Sequence, residues 1–313
     1  MNSEEKFNLI KRNTEEIITE EELLDLIKKK KSPVAYCGYE VSGPIHLGHF
    51  VTLSKLLDFQ KAGFKVKILL ADVHTQLNKK IPEAEAWKKT LEAIGIKAEF
   101  VLGSSFQFKK DYVFGMLNLA QKITINRGIR SMQEVARDIE NASVSQILYP
   151  LMQILDVKYL NADVSLGGMD QRKIYMLGKD ESNTTKHDFI AVHTPIITSL
   201  KGPGQKMSSS IPGSNISIID SKETIKNTIM KAFCPEKKTD NNPILQVLNL
   251  IIFPHLNKIE VSRPEKFGGN KTYFDYKQLE LDFVSGLLHP ADLKLAVAES
   301  LDRIIAPIRK NFK

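Results

Sequence analysis

Two imidazoles at a helix start and, roughly 160 residues later, one lysine set among hydroxyls are the groups of this chain best suited to chemistry. His46 and His49 bracket Gly48 where a short β-prone run, Val34 to Gly38, has passed through a turn of Gly, Ser and Pro into an apolar-periodic helix from about Leu47 to Ala62. Free backbone N–H groups and the positive end of the helix dipole favour an anion there, and a nucleotide phosphate suits the place. Gly48 lacks a Cβ, so the backbone can lie close against a flat ligand such as a purine. Histidines three apart at a helix start also serve as capping or surface residues, and the pair alone does not separate these uses. Lys206-Met207-Ser208-Ser209-Ser210 is framed by Gly202, Pro203, Gly204 and Pro212. Its lysine and three hydroxyls can close over phosphates as donors, and the flanking glycines let the loop move.

A third set lies between Ser143 and Leu160. At helical spacing Leu148, Leu151, Met152, Leu155 and Tyr159 make an apolar stripe, with Tyr149, Gln153 and Asp156 in a narrow polar stripe beside it. Polar groups that hug a core face imply a buried polar ligand. Pro150 starts or kinks this helix, which leaves the direction of Tyr149 less defined than that of Gln153 and Asp156. Further on, a strand ends at Gly167-Gly168 and a helix begins with Asp170, Gln171, Arg172 and Lys173. Basic residues at a helix N-terminus oppose the dipole, so Arg172 and Lys173 either meet a phosphate or simply face solvent.

The elements that must position these groups alternate. Residues 4 to 30 read as helical, with a second helix starting near Thr19 or Glu20; strands follow at Lys65 to His74, Ala98 to Leu102 and Phe189 to His193, with a helix around Ala84 to Ile94 and one more possible strand at Asn215 to Ile219. Alternation of this kind predicts an α/β fold, a Rossmann-like parallel sheet with crossover helices, whose ligands lie outside the carboxyl ends of the strands. Gly38, Asp72 and His74 are expected at such ends; Asp72 and His74 either face a substrate or tie down their loop. Tyr112 to Ile139 reads as a helical connection carrying Arg127, Arg130 and Arg137. Beyond Ser221 the text turns to helices, at Glu223 to Phe233, Pro243 to Phe253, Tyr276 to Ser285 and Pro290 to Ile305, which predicts a smaller all-α C-terminal domain. The expected division is 1–221, with a connective insertion at 112–142 and a mobile loop at 202–213, and 222–313.

Composition narrows the class. The 313 residues, 42% hydrophobic and 26% charged, describe an ordinary globular protein, and a formal charge of +7 favours a polyanionic partner. From Lys222 onward there are 15 Lys and Arg against 11 Asp and Glu, so positive charge is denser in the helical part, as an RNA-docking module requires. Two cysteines, Cys37 and Cys234, with no Cys-x-x-Cys pair, indicate neither a zinc knuckle nor a disulfide framework, and a reducing cytoplasm is the expected compartment. The acidic start Met1-Asn2-Ser3-Glu4-Glu5 lacks an apolar core and does not read as a signal peptide, and no apolar run is long enough to span a membrane.

In order and spacing, the two phosphate-suited elements resemble the paired HIGH and KMSKS signatures of class I aminoacyl-tRNA synthetases. The match extends further. Ala35-Tyr36-Cys37-Gly38-Tyr39-Glu40, Tyr149-Pro150-Leu151-Met152-Gln153, Gly167 to Lys173, Arg263-Pro264-Glu265-Lys266-Phe267-Gly268-Gly269 and His289-Pro290-Ala291-Asp292 resemble the tyrosyl-tRNA synthetases of the archaeal and eukaryotic type over nearly the whole chain. That resemblance implies activation of L-tyrosine with ATP and Mg²⁺, transfer to tRNA(Tyr), and a homodimer joined through about Tyr112 to Ala142. It implies His46, His49 and Lys206 as catalytic donors, and Gly38, Gly48, Met207, Ser208 and Ser209 with them around ATP. It implies Tyr36 and Asp156 on the substrate hydroxyl, and Tyr149, Gln153 and Gln171 about its amino group. It also places Arg130, Arg172 and Lys173 at the first acceptor base pair, and Phe267, His289, Pro290 and Asp292 at the first anticodon base. No resident metal site is implied. Two departures stand out: Ser209 replaces the second lysine of the mobile loop, and Leu155 precedes Asp156 where a relative can carry a polar residue. The readings that compete are a tryptophanyl-tRNA synthetase, a noncatalytic RNA-binding protein retaining the fold, and a small-molecule nucleotidyltransferase using the same helix-start motif.

Overall fold

The computed structural model describes residues 1–134, 143–204, 207 and 211–310. These form two compact units, Met1–Gly43 with Lys55–Pro195, and Pro44–Ser54 with Ile196–Lys313.

The first unit is built on a six-stranded sheet of β1 (Glu16–Ile18), β2 (Val34–Tyr39), β3 (Lys65–Leu70), β4 (Ala98–Leu102), β5 (Val164–Gly168) and β6 (Ile190–Thr194), in the order β1-β6-β5-β2-β3-β4. All neighbours run parallel except β1, which pairs antiparallel with β6. The central strands are buried apolar runs, as parallel strands covered on both faces must be. The order reverses between β2 and β5, where Tyr36 pairs with Ser165; at such a switch point the loops diverge and leave a crevice beyond the carboxyl ends.

Among the described residues ten α-helices accompany the sheet: α1 (Ser3–Lys11), α2 (Glu20–Lys29), α3 (Leu47–Lys61), α4 (Asp72–Leu77), α5 (Ala84–Ala93), α6 (Lys110–Lys122), α7 (Ile125–Ser131), α8 (Val144–Tyr159), α9 (Arg172–Asp180) and α10 (Ser182–Thr185). Reciprocal capping boxes start α1 at Asn2 with Glu5, and α2 at Thr19 with Glu22. Helix α3 begins in the second unit and ends in the first. Three differences from the sequence reading are local. The strand after Gly63 stops at Leu70, so Asp72 and His74 ride on α4 instead of a strand end; the helical reading of 4–30 is broken by β1; and Asn215 to Ile219 makes a single bridge, Ser217 to His46, in place of a strand. Three residues of β1 are too few for period-two alternation to register, and β1 is held by its partner β6.

The second unit holds α11 (Lys222–Lys231), α12 (Pro243–Val247), α13 (Phe253–Leu256), α14 (Tyr276–Ser285) and α15 (Pro290–Arg309), with a π turn, Leu248–Ile252, between α12 and α13. It adds what helical periodicity did not foresee, an antiparallel ribbon of β7 (Ile259–Val261) and β8 (Lys271–Tyr273). Contacts place the unit boundary at Ile196 and bring 44–54 into this unit, whereas the expected division ran at 221/222.

Candidate active site

At the switch point of the first unit a buried carboxylate organises a set of polar groups. Asp156 lies on α8, which runs unbroken through Pro150 and is buried from Pro150 to Val157. The Asp156 Oδ1 atom accepts hydrogen bonds from Gln107 Nε2 at 2.8 Å and from the Tyr112 hydroxyl at 2.8 Å; that hydroxyl also lies 3.0 Å from the Met152 carbonyl oxygen. Its other oxygen, Oδ2, has no hydrogen-bond partner and sits 3.8 Å from His74 Nε2, and both His74 ring nitrogens are likewise unpartnered. Five of the nine buried unpartnered side-chain atoms among the described residues belong here: Asp156 Oδ2, the two His74 nitrogens, Gln107 Oε1 and Ser165 Oγ. Buried polar groups are ordinarily bonded, so a ligand that brings polar atoms is the natural complement of this gathering.

Electrostatics define which polar atom. Burial pushes the Asp156 carboxyl up to about 7, against the hydrogen bonds from Gln107 and Tyr112, which act to lower it. Burial first, and the Asp156 charge second, hold the Tyr36 phenol well above its ordinary range, so it stays protonated. Burial brings His74 down to about 4, which leaves it neutral. The result is a half-satisfied acid with no cation beside it, a place for a hydroxyl that donates. Tyr36 is 1% exposed, and a Cβ on Gly38 would lie 2.7 Å from its hydroxyl oxygen, so glycine at 38 makes room for the phenol.

The other expected tyrosine contacts gather too. Gln153 Nε2 donates to Gln171 Oε1 at 3.1 Å, and the Tyr149 ring meets His74 edge-on with centroids 4.5 Å apart. A Cβ at Gly167 would come within 2.9 Å of Tyr175 Cε2 and 3.0 Å of Gln171 Cβ, which accounts for the glycine at the end of β5. Asp72 takes the tie-down role: its Oδ1 accepts from the Ser104 N–H at 3.0 Å. Gln107, Tyr112 and Ser165 were missed as site residues. Tyr112 read as the start of a connection and Gln107 fell between elements; only contact with Asp156 reveals them.

In the second unit His46 Nδ1 accepts from the Gly48 N–H at 3.1 Å and His49 Nδ1 accepts from the His46 N–H at 3.2 Å, with ring centroids 3.9 Å apart. Each Nδ1 caps backbone, so a neutral ring carries its proton on Nε2. Burial lowers His46 to about 4, so it is a neutral donor at pH 7. A Cβ on Gly48 would lie 2.9 Å from His46 Cε1, so the room left by this glycine is taken by the imidazole. Lys206, Ser208 and Ser209 lie outside the described residues, as does Arg137; Met207 is half-buried.

The basic candidates are engaged in the first unit. Arg172 clasps Glu16, and Lys173 donates to Gln133 and Glu134, each at 3.0 Å. Arg130 Nε reaches the Asn126 carbonyl at 3.4 Å. In the second unit Phe267 is 60% exposed with Lys266 over its ring, and His289 caps α15 with Pro290 in the first turn and Asp292 following. Arg263 donates to Gly269 O and Leu287 O, which ties the Phe267 loop to the turn before His289.

Residues 28–306 match the family model of class I tRNA synthetases (W and Y). A tyrosine–tRNA ligase of Archaeoglobus fulgidus is 47% identical, with 100% of this chain and 99% of that protein aligned. The chain belongs to the tyrosine–tRNA ligases of class I. A second tyrosine–tRNA ligase, from Methanocaldococcus jannaschii, is 45% identical over 98% of this chain and all of its own length. Among solved structures, the A. fulgidus tyrosyl-tRNA synthetase complexed with L-tyrosine superposes with a TM-score of 0.96 at 46% identity, each chain covered completely. The Pyrococcus horikoshii tyrosyl-tRNA synthetase, also complexed with L-tyrosine, gives 0.90 at 34% identity, covering 100% of this chain and 96% of that one. A tryptophanyl-tRNA synthetase from Aeropyrum pernix, 18% identical with a TM-score of 0.73 over 94% and 81% of the two chains, shares the fold. Among tyrosine–tRNA ligases, a buried acid with one free oxygen is chemically apt, because the substrate differs from phenylalanine by one hydroxyl.

Proposed function

We propose that this tyrosine–tRNA ligase binds its amino acid in the crevice of the first unit, the phenol on Asp156 Oδ2 and Tyr36, and the α-amino group among Tyr149, Gln153 and Gln171. The unpartnered Asp156 oxygen, buried beside an unpartnered His74, carries this reading. Phenylalanine in the same place would leave that oxygen unpaired, at a cost of about 1–3 kcal/mol.

The tyrosine carboxylate attacks the α-phosphorus of ATP; a P–O bond forms to the acyl oxygen, the bond to the bridging oxygen breaks, and pyrophosphate leaves. A terminal ribose hydroxyl of tRNA(Tyr) then attacks the carbonyl carbon, loses its proton, and AMP departs. No covalent enzyme intermediate is required, so the protein contributes positioning and charge stabilisation. The Nε2–H groups of His46 and His49 and the Lys206 ammonium donate to phosphate oxygens, with Gly38, Gly48, Met207, Ser208 and Ser209 completing the ATP contacts. Mg²⁺ comes with ATP, bound to its phosphates as part of the substrate. Arg130, Arg172 and Lys173 meet the first acceptor base pair. Phe267 stacks on the first anticodon base while His289, Pro290 and Asp292 flank it, which makes 222–313 the anticodon-binding part and 1–221 the catalytic one.

Exposed Phe108, Val113, Phe114 and Leu117, at and around α6, supply an apolar face for a homodimer. No described helix is long and apolar enough to cross a membrane, and the cytoplasm is the compartment where tRNA charging takes place. The direct test is charging: with ATP, labelled tyrosine and a tRNA(Tyr) transcript, label should enter an acid-precipitable, base-labile ester. Adenylate formation without that ester would refute the transfer step.

A further inference from the structure

Glu16 opens β1 and stands opposite His193 of β6 in the antiparallel register. Its carboxylate is fully committed. Oε2 accepts from Arg172 Nε at 2.7 Å and Oε1 accepts from Arg172 Nη2 at 2.9 Å. Behind it, completely buried His193 places Nδ1 3.3 Å from Oε2, and the Glu15 N–H donates to the His193 carbonyl at 2.9 Å, so the strand carrying the acid is pinned at the same point. The Arg172 hydrogen bond lowers the Glu16 carboxyl, which is therefore ionised at neutral pH, and burial brings His193 down to about 4, which leaves it neutral.

The carboxylate grips the guanidinium along its Nε side. That leaves the end-on edge shared by Nη1 and Nη2, where one N–H of each runs parallel, on a side chain that is 40% exposed. Held this way, the guanidinium points its donor pair in one direction, the geometry that paired acceptors on a base edge require. At longer range the Glu16 charge cancels that of Arg172, so attraction to any phosphate weakens while the directional pair remains.

We propose that Glu16, backed by His193, is a positioning residue that makes Arg172 a directional reader of the tRNA acceptor end instead of a general phosphate contact. The proposal rests on the tRNA role assigned to Arg172 above. Gln171, the residue before it, is held separately by Gln153 of the amino-acid site at 3.1 Å, so loss of Glu16 leaves that contact in place.

The test compares kcat/KM for charging of two tRNA(Tyr) transcripts, one native and one with its first acceptor base pair inverted, in wild type, E16A, E16Q, R172A and E16A/R172A. Discrimination between the transcripts should fall roughly tenfold in E16A, within the range one paired base contact supplies. In E16Q, of equal size and with one acceptor kept, it should fall about threefold, because neutral hydrogen bonds are about half as strong. Tyrosine-dependent pyrophosphate exchange should be unchanged in E16A and E16Q, and KM for the native transcript should become more sensitive to salt. The double variant should discriminate no worse than R172A, because Glu16 acts only through Arg172. Should E16A fail to fold, E16Q carries the test. Full discrimination in the Glu16 variants, with R172A impaired, overturns this proposal alone. An unimpaired R172A removes the tRNA role of Arg172 and the proposal with it. Equal loss of exchange and charging in E16Q, or additive losses in the double variant, would mean that Glu16 only supports the fold, and overturns it as well.

Discussion

Replacing Tyr112 with phenylalanine removes one of the two hydrogen bonds on Asp156 Oδ1 while keeping the ring that packs against Phe106 and Tyr159. A hydrogen bond to a charged group is worth about 1.5–3 kcal/mol, and one pKa unit corresponds to about 1.4 kcal/mol, so the loss should raise the carboxyl by at least about one unit. Asp156 already stands at about 7, which puts the variant above about 8. In the proposed binding mode substrate tyrosine donates its hydroxyl to the ionised acid, so kcat/KM for activation should follow the ionised fraction of the free enzyme. At pH 7 that fraction falls from about one half to about a tenth, a loss of roughly fivefold in kcat/KM that disappears above about pH 9.5. Tyrosine-dependent ATP–pyrophosphate exchange from pH 6 to 10 measures it. A Y112F profile whose acid limb coincides with that of wild type, or a deficit that persists at high pH, would refute the reasoning.

Three further predictions concern the same chemistry. Asp156→Ala should reduce the preference for tyrosine over phenylalanine in exchange by roughly ten- to a hundredfold, since a charged hydrogen bond to the substrate hydroxyl is lost; unchanged preference would remove Asp156 from the pocket. Lys206→Ala should slow exchange while calorimetry shows tyrosine affinity nearly intact, and equal loss of both would contradict a role on ATP. In the ligand-free protein the Asp156 carboxyl is raised from its unfolded value of 3.8 to about 7, so its share of stability is complete below about pH 4 and is lost as pH rises through 7. Asp156→Asn, which keeps both bonds on Oδ1, should therefore gain stability over wild type across that window, up to about 4 kcal/mol above pH 8. The subtraction cancels the opposite trend of His46, His74 and His193, each lowered to about 4 by burial. A pH-independent difference in urea midpoint would count against the buried acid.

Much of the architecture was legible because its elements are long and punctuated. Gly63, the helix start near Thr19, and the apolar runs of β2, β3 and β5 all mark themselves in the text. Helical spacing also placed Gln153 and Asp156 on one polar stripe, and the structure brings Gln153 to Gln171. What stayed hidden depends on contacts across long sequence separations. Gln107 and Tyr112 acquire meaning only when α8 brings Asp156 to them, and β1 exists only because β6 offers an edge. His74 was expected at a strand end, but the chain turns into α4 at Asp72, and that helix carries the imidazole to the acid. The ribbon of β7 and β8 is three residues on each side, below what periodicity can distinguish. Gly48 was read as room for a flat ligand, and the structure adds an intramolecular reason, the His46 ring; at Gly38 the corresponding reason is the Tyr36 hydroxyl.

The central claim is that a buried acid selects a hydroxyl-bearing aromatic amino acid for adenylation. ATP–pyrophosphate exchange measured separately with each of the standard amino acids tests it most directly. Exchange should depend on tyrosine, with phenylalanine and tryptophan near background. Exchange driven by tryptophan, or none with any amino acid, would contradict the account.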